Sequence, residues 1–508
     1  MTPPVGGSAA ASITSDRAPG SPGPAQAAAQ DRRKWLILAV IAIASLMVIL
    51  DATVVNIALP SAQKALHFSN AERQWVVTAY ALAFGSLLLL GGKLADLLGR
   101  KLTFIVGLIG FAVASAIGGA SGSFDMLVAA RASQGAFAAL LTPTALSLLT
   151  TTFPDKKDRG KAFGVYGAIV ASGGAIGLLL GGVLTEYLSW RWCLYINLFF
   201  ATAGVIGAVL LLHQQRPKVR PKVDLLGAVA VSAGLFCLVY GCSNADTHGW
   251  HSPLTWGFLV AGVALLGVFV WLQARVASPL LPLRIVLDRN RAGSYVAMLV
   301  AMAGMAGVFL FLTYYLQATL GYSAVVTGLA FLPMLVAASA AGLTSNIVLL
   351  ARTGPKPLVV AGMLVAAVGV AWLTRIGLHS SYANDLLGPL MVMGLGVGLV
   401  TSPAMNTATF RVPAADAGVA SATAQTQQQV GTSIGTALLN TLAVSATAHY
   451  LATATSRAAI GVRPSPALLN LALVHGYSTA FWWGAGIFVV GAVACGSLLR
   501  NGRLAGEA

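Results

Sequence analysis

Two ionisable residues of opposite charge stand inside apolar segments of this 508-residue chain. Asp51 interrupts the run 34–60, KWLILAVIAIASLMVILDATVVNIALP, and Arg131 interrupts FDMLVAARASQGAFAALL. A charge at membrane depth costs about 2.5–3.5 kcal/mol on insertion scales, so a residue of this kind is a candidate for function. A desolvated carboxylate binds a proton readily, and a nearby guanidinium opposes that binding. The pair therefore predicts a proton-handling site, and the alternative is a static ion pair that only fixes helix packing.

The two segments must place these residues at one depth if they are to meet. If the first helix runs outward and ends near Leu59, Asp51 lies about 12 Å below the outer edge of the membrane. If the fourth helix enters near Asp125, Arg131 lies about 9 Å below the same edge. The depths agree within one helical turn, so an ion pair is geometrically possible between neighbouring helices.

The composition is that of an integral membrane protein. Hydrophobic residues make up 57% of the chain, charged residues 9%, and the mean hydropathy is +0.80. Soluble domains carry about 25% charged residues. The 56 glycines suit helices that approach each other closely in lipid.

The net charge of +16 follows the predicted membrane topology. Fourteen spans with both termini inside place 24 of the 31 Lys and Arg residues in inner segments, as the positive-inside rule requires. Six fall outside: Lys64, Arg73, Arg191, Arg375, Arg457 and Arg463. We therefore expect a multi-pass plasma-membrane protein with cytoplasmic termini, and we expect no nucleic acid partner.

The spans group as six, two and six, which predicts two six-helix halves with two additional central helices. The predicted segments are a disordered cytoplasmic tail 1–33, a first bundle 34–213, a linker with the two extra helices 214–291, a second bundle 292–499 and a tail 500–508. The tail 1–33 is rich in Ala, Pro, Gly and Ser without apolar periodicity.

The inner segment 92–101, GKLADLLGRK, is a candidate gate. Asp96 can form charge-assisted hydrogen bonds with Arg100 and Lys101, or it can cap a neighbouring helix. Contacts of this kind can form in one conformation and break in another. The alternative is a solvated loop that only sets topology, which accounts for the bases but not for the acid between them.

Four segments resemble the signatures of the major facilitator superfamily, and most closely those of its fourteen-helix branch of drug:proton antiporters. They are LDATVVNIALP (50–60), GKLADLLGRK (92–101), RASQG (131–135) and SWRWCLYIN (189–197). The resemblance continues through 315–333 and 417–431 and covers nearly all of 34–499. It implies an all-α membrane fold of fourteen helices.

The same resemblance implies roles for the residues already singled out. Asp51 and Arg131 take part in proton relay in such proteins, and the loop acid, here Asp96, belongs to an inner gate. The gating motif is Gly92, Asp96, Gly99, Arg100 and Lys101. The fifth helix carries the family's glycine motif at Gly173, Gly177, Gly181 and Gly182, but Leu178 stands where the family has a proline, so a kink is not expected there.

Polar and aromatic residues in otherwise apolar spans are candidates for a substrate cavity. They are Asn56, Tyr80, Gln134, Tyr314, Gln317, Asn406, Gln425, Gln428 and Gln429. Each alone can be an interhelical hydrogen bond, but together they suit a mostly apolar pocket with few polar groups. Spans nine to fourteen contain no acid at mid-membrane depth, which favours neutral or monovalent lipophilic substrates.

These observations predict a proton-coupled transporter that exports lipophilic drugs or antibiotics by alternating access. An importer or facilitator of a small metabolite with the same fold is the alternative. We expect no enzyme activity, because the sequence has no Walker motif and no His, Cys, Asp and Glu cluster at ligand spacing. We expect no metal or cofactor, the proton gradient as the energy source, the lipid bilayer and a small molecule as partners, and a monomer.

Overall fold

The computed structural model describes residues 24–70, 72–153, 155–213, 224–248, 252–276, 279–412, 417–456 and 465–502. These residues form helices and turns, without a strand. The first half consists of α1 Pro24–Leu66, α2 Gln74–Leu98, α3 Arg100–Gly119, α4 Phe124–Thr152, α5 Lys156–Tyr187 and α6 Trp192–Leu211. A central pair follows, α7 Leu225–His248 and α8 Pro253–Arg275.

The second half again has six long helices. They are α9 Arg289–Tyr314, α10 Ala324–Thr344, α11 Pro355–Leu373, α12 Leu387–Thr409, α13 Ala417–Ser456 and α14 Pro466–Leu498. Turns of π-helix follow α9 at Tyr315–Thr319 and α10 at Ser345–Leu349, and another precedes α12 at Tyr382–Leu386. Single α-helical turns lie at Leu283–Val286 and Leu350–Thr353.

Twelve of the helices in the described residues are long and apolar enough to cross a membrane. Their length and composition make the chain a multi-pass membrane protein, as predicted. The remaining long helices, α5 and α13, are not among the twelve. The fourteen long helices are compatible with fourteen spans, and that number stays a prediction.

Helix α1 is longer at both ends than the sequence indicated. It begins at Pro24, so residues 24–33 of the predicted disordered tail are helical. Alanine and glutamine dominate 24–30, and both are good helix formers behind a first-turn proline. The helix also continues through Pro60 to Leu66 and not only to Leu59, because a proline removes a single backbone hydrogen bond that a membrane bundle tolerates. The tail residues 1–23 and 503–508 and the linker residues 214–223 lie outside the described residues.

The two halves share a core at one end of the bundle, which contains the α1–α2 connection. The sequence predicts that this end faces outside, and we call it the outer end. There Leu50, Val54 and Leu127 of the first half join one apolar cluster with Phe311 and Phe331 of the second. Toward the opposite, inner end the first half has a separate core, built on residues such as Phe104, Phe111 and Phe153. The bundle is therefore held together most firmly at its outer end.

The central pair α7 and α8 packs through glycines. A Cβ atom at Gly234 would lie 3.0 Å from Leu266, and one at Gly262 would lie 2.7 Å from Leu238. Backbones can approach this closely only where the side chain is absent. The Ser232 hydroxyl of α7 donates to the Ser86 carbonyl of α2, so the pair rests against the first half.

Candidate functional site

Asp51 and Arg131 form a fully buried ion pair. The Arg131 Nη1 donates to Asp51 Oδ2 at 2.5 Å, and the two side chains are 2% and 0% exposed. The structure thus brings together the two charges that the sequence singled out. Within the described residues, Asp51 is the acid that lies deepest in the bundle core.

Three further polar side chains complete this buried network. Gln134 Nε2 and Asn197 Nδ2 donate to Asp51 Oδ1 at 2.9 and 2.7 Å. Both amides also contact the Ser115 hydroxyl, at 2.7 and 3.3 Å. The carboxylate therefore receives three donors, two from α4 and one from α6. We call these residues, with Asp51 and Arg131, the buried network.

Arg131 is anchored on α2 as well as on Asp51. Its Nε donates to the Val76 carbonyl at 3.1 Å, and its guanidinium lies 4.4 Å from the centre of the Tyr80 ring. The helices meet here because Gly135 has no side chain: a Cβ atom would stand 2.2 Å from the Tyr80 carbonyl oxygen. A glycine one turn from Arg131 thus lets the guanidinium reach α2.

Of the residues predicted to line the substrate cavity, Gln134 belongs to the buried network and Tyr80 contacts it. Gln134 is fully buried on Asp51, and Tyr80 is buried beneath Arg131. Both side chains contact buried charged groups in this conformation, and their place in a substrate cavity stays a prediction. Asn197 and Ser115 were missed, although Asn197 is the last residue of the segment SWRWCLYIN.

A narrow apolar space separates Arg131 from the outer end. Its walls come from α1, α2, α4, α6 and the α5–α6 connection: Val55, Ala58, Leu59, Ala62, Val76, Leu127, Trp190, Cys193 and Leu194. No charged side chain other than Arg131 lines it. Apart from the Arg131 guanidinium, the Trp190 indole and the Cys193 thiol, the lining side chains are aliphatic.

Residues of the predicted gating segment 92–101 have two structural roles, in a turn and in a helix-end contact. Gly99, at φ 90°, provides the sharp connection between α2 and α3 that a side chain would strain. Lys101 Nζ donates to the Val209 and Leu212 carbonyls at 2.9 and 2.6 Å, at the carboxyl end of α6. The contacts of Lys101 thus stay within the first half. Gly92 faces Pro143 of α4 and Arg100 begins α3, whereas the Asp96 side chain is outside the described part.

The glycine motif of α5 is a packing surface. Cβ atoms at Gly173, Gly177 and Gly181 would come within 2.9, 1.9 and 3.0 Å of Ile49, Thr53 and Val54 of α1. One at Gly182 would lie 2.7 Å from Val325 Cα of the second half. The motif therefore packs α5 against α1 and, at its outer end, against α10. Helix α5 runs unbroken through Leu178, as the missing proline predicted.

The remaining cavity candidates occupy separate places. Asn56 donates to the Ala52 carbonyl of its own helix, and Gln317 donates to the Ile57 carbonyl across the two halves, each at 3.0 Å. Gln428 contacts the Met298 sulfur at 3.8 Å. Asn406 is exposed, and Gln425 and Gln429 are half-buried. The described contacts do not gather the predicted set into one pocket.

A second buried arginine was not foreseen in the sequence. The sequence counted Arg73 only as an outer charge, whereas the structure buries it at the outer end, 2% exposed, among side chains of the second half. Its Nε donates to Asn440 Oδ1 at 3.1 Å, and its guanidinium lies 4.3 Å from the Tyr314 ring centre. Tyr314, predicted as a cavity residue, is therefore covered by Arg73 in this conformation.

Comparison with known proteins shows which family has this architecture. The sequence profile described as the Major Facilitator Superfamily matches residues 41–436. The chain belongs to the major facilitator superfamily. Among solved structures, the superfamily fold is seen in a bacterial homologue of the human lysosomal transporter Spinster, in an inward-facing and unoccupied conformation. It aligns with a TM-score of 0.63 at 16% identity, over 92% of this chain and 97% of that one.

Curated relatives in the superfamily are similar over nearly the whole sequence. The puromycin resistance protein pur8 of Streptomyces alboniger is 46% identical, over 93% of this chain and 92% of that protein. The cephamycin export protein CmcT of Amycolatopsis lactamdurans is 40% identical, over 80% and 84%. The tetracenomycin C resistance and export protein of Streptomyces glaucescens is 36% identical, over 81% and 76%.

Proposed function

We propose that this chain exports lipophilic antibiotics from the cytoplasm in exchange for protons. The observation that carries the proposal is the buried network, in which Asp51 is fully enclosed and receives donors from Arg131, Gln134 and Asn197. Relatives named for resistance to, or export of, puromycin, cephamycin and tetracenomycin C supply the substrate class.

Proton coupling requires a group that exchanges its proton as the conformation changes. Protonation of Asp51 removes the charge that Arg131, Gln134 and Asn197 stabilise, so each proton exchange alters the packing of α1 against α4 and α6. A charge that crosses the membrane potential yields about 2.3 kcal/mol per 100 mV. That free energy can drive export when substrate release and proton entry use the same conformational cycle.

The described contacts between the halves support a closed outer end. Gln317 reaches the Ile57 carbonyl, and the Glu186 carboxylate accepts from the Val325 amide at 3.0 Å. These contacts have to separate when substrate leaves on the outside. Because one chain provides both halves and the surface between them, we also propose that it works as a monomer. The distribution of Lys and Arg supports the further proposal that both termini are cytoplasmic.

The test is drug-driven proton movement in reconstituted vesicles that contain wild type or Asp51→Asn. Puromycin, a cephamycin, tetracenomycin C and lincomycin form the panel. Asp51→Asn should still bind the exported compound but should not accumulate it against its concentration gradient when a pH gradient is applied. Asp125→Asn is the matched control, because Asp125 is an exposed acid in the first turn of α4.

Three results contradict the proposal in different ways. Normal pH-driven accumulation by Asp51→Asn places the coupling proton elsewhere. Accumulation of the compound on the vesicle side that corresponds to the cytoplasm identifies an importer. Equal movement with and without a pH gradient identifies a facilitator.

A further inference from the structure

Arg73 is a buried base that has no carboxylate partner among the described residues. Its guanidinium instead faces three aromatic rings: the Cζ atom lies 4.3 Å from the centre of Tyr314, 5.3 Å from Phe311 and 5.9 Å from Tyr477. We call Phe311, Tyr314 and Tyr477 the aromatic cage. The face of an aromatic ring attracts a cation, and the attraction grows when the cation is desolvated. The cage therefore takes the place that a carboxylate takes beside Arg131.

The cage belongs wholly to the second half, whereas Arg73 belongs to the first. Phe311 and Tyr314 lie on α9, Tyr477 lies on α14, and Asn440 of α13 adds a carbonyl oxygen. The Phe311 and Tyr477 rings stack with centroids 5.7 Å apart, and Phe481 packs on Phe311 at 6.4 Å. Ring packing within one half holds the cage in shape without help from Arg73.

Two polar atoms at this place are left without hydrogen bonds among the described residues. They are the Arg73 Nη1 and the Tyr314 hydroxyl, both buried. A buried donor without a partner costs about 1–3 kcal/mol. Arg73 thus fits the cage through its charge, but it does not use all the polar groups around it.

Any opening of the outer end withdraws Arg73 from the cage, because the contact joins α2 of one half to α9, α13 and α14 of the other. Three ring faces then no longer contact the guanidinium. Rings arranged around a small volume recognise ammonium groups.

We propose that the aromatic cage binds the cationic group of an exported organic cation, and that Arg73 is a tethered competitor for the same place. The inference rests on the proposed export function and names a substrate class for it, lipophilic monovalent cations. When the outer end closes, the Arg73 guanidinium returns to the cage and displaces the substrate cation. The exchange favours release to the outside.

The experiment measures equilibrium binding of radiolabelled phenyltrimethylammonium to the purified full-length protein. Its neutral isostere, tert-butylbenzene, serves as the competitor that lacks the charge. Arg73→Gln should raise affinity for the cation about tenfold or more and leave competition by the isostere unchanged. Arg73→Lys keeps the tethered charge and should bind the cation as wild type does.

The cage variants separate a binding site from a simple latch. Tyr314→Leu and Tyr477→Leu should each weaken cation binding, Tyr314→Phe should preserve it, and Tyr314→Leu should abolish the gain of Arg73→Gln in the double variant. If the cage only latches the outer end, Tyr314→Leu releases Arg73 and raises affinity as Arg73→Gln does, and the proposal fails. It also fails if Arg73→Gln strengthens the isostere as much as the cation.

A failure here is distinct from a failure of the export function. If wild-type vesicles accumulate an antibiotic when a pH gradient is applied, and the cage variants bind the cation normally, the cage proposal fails and the export proposal stands. If Arg73→Gln does not accumulate in the membrane, the cation affinity of Tyr477→Leu tests the cage independently.

Discussion

The Asn197 side-chain amide lies 2.7 Å from the Asp51 carboxylate and donates to its Oδ1 atom. This bond comes from α6, whereas the donors Arg131 and Gln134 come from α4. Asp51 of α1 therefore accepts hydrogen bonds from both α4 and α6 and is not only paired with Arg131. A proton that reaches Asp51 loosens both connections at once.

Replacing Asn197 with Leu should slow proton-driven export. The Asp51 carboxylate loses its donor from α6, so proton exchange at Asp51 no longer makes and breaks the contact between α1 and α6. Asn56→Leu is the matched control, since this amide donates to the Ala52 carbonyl of its own helix. The measurement is the initial export rate in vesicles from pH 5.5 to 8.5. Superimposable profiles for wild type and Asn197→Leu would show that the amide only packs.

Replacing Gly182 with Ala should disturb the outer end. The added methyl group would meet main-chain atoms of the other half, Val325 Cα at 2.7 Å and the Ala324 carbonyl oxygen at 2.8 Å. We expect slower export and faster reaction of a cysteine placed at buried Ala62 with an impermeant maleimide. Gly174→Ala lies on the same helix with no atom within 4 Å of the new methyl and should behave as wild type. Equal maleimide rates in the two variants would contradict this reading.

Replacing Lys101 with Met should weaken the first half without stopping transport. The ammonium group stabilises the carboxyl end of α6, an interaction worth about 0.3–1 kcal/mol. The thermal midpoint of the purified protein should fall, Lys101→Arg should restore it, and export per folded molecule should stay near wild type. A lost activity at an unchanged midpoint would instead make Lys101 a gate residue.

Single cysteines in a variant without the four native ones should report the orientation. Lys64→Cys lies in the last turn of α1 and Asn501→Cys lies just beyond α14, and both positions are exposed. An impermeant maleimide should label the first in intact cells and the second only after permeabilisation. The opposite pattern would invert the predicted topology.

The sequence was sufficient to predict the ion pair but not the side chains that surround it. Asp51 and Arg131 stand out because a charge in an apolar run is costly, and the superfamily motifs gave the order of the helices. Asn197 and Ser115 are ordinary polar residues in a span, and only the packing of α6 on α1, and of α3 on α4 and α6, gives them partners.

The surroundings of Arg73 were also not predictable. A base at the end of an apolar segment, beside Glu72, has the pattern of a charge that only sets topology, so the sequence counted it on the outer side without a partner. Its aromatic partners come from the other half of the chain, and no local spacing connects them. Likewise, Gln134 has the polarity of a cavity residue, and its engagement with Asp51 becomes visible only when α1 and α4 are side by side.

The apolar space between Arg131 and the outer end has a consequence for the cell that hosts this protein. A continuous file of water from the outside to Asp51 would conduct protons whether or not a drug was present. Walls formed by Val55, Leu59, Leu127 and Leu194 interrupt such a file in this conformation. If export is coupled to protons as proposed, the protein in this conformation leaks no protons through this route while no antibiotic is present.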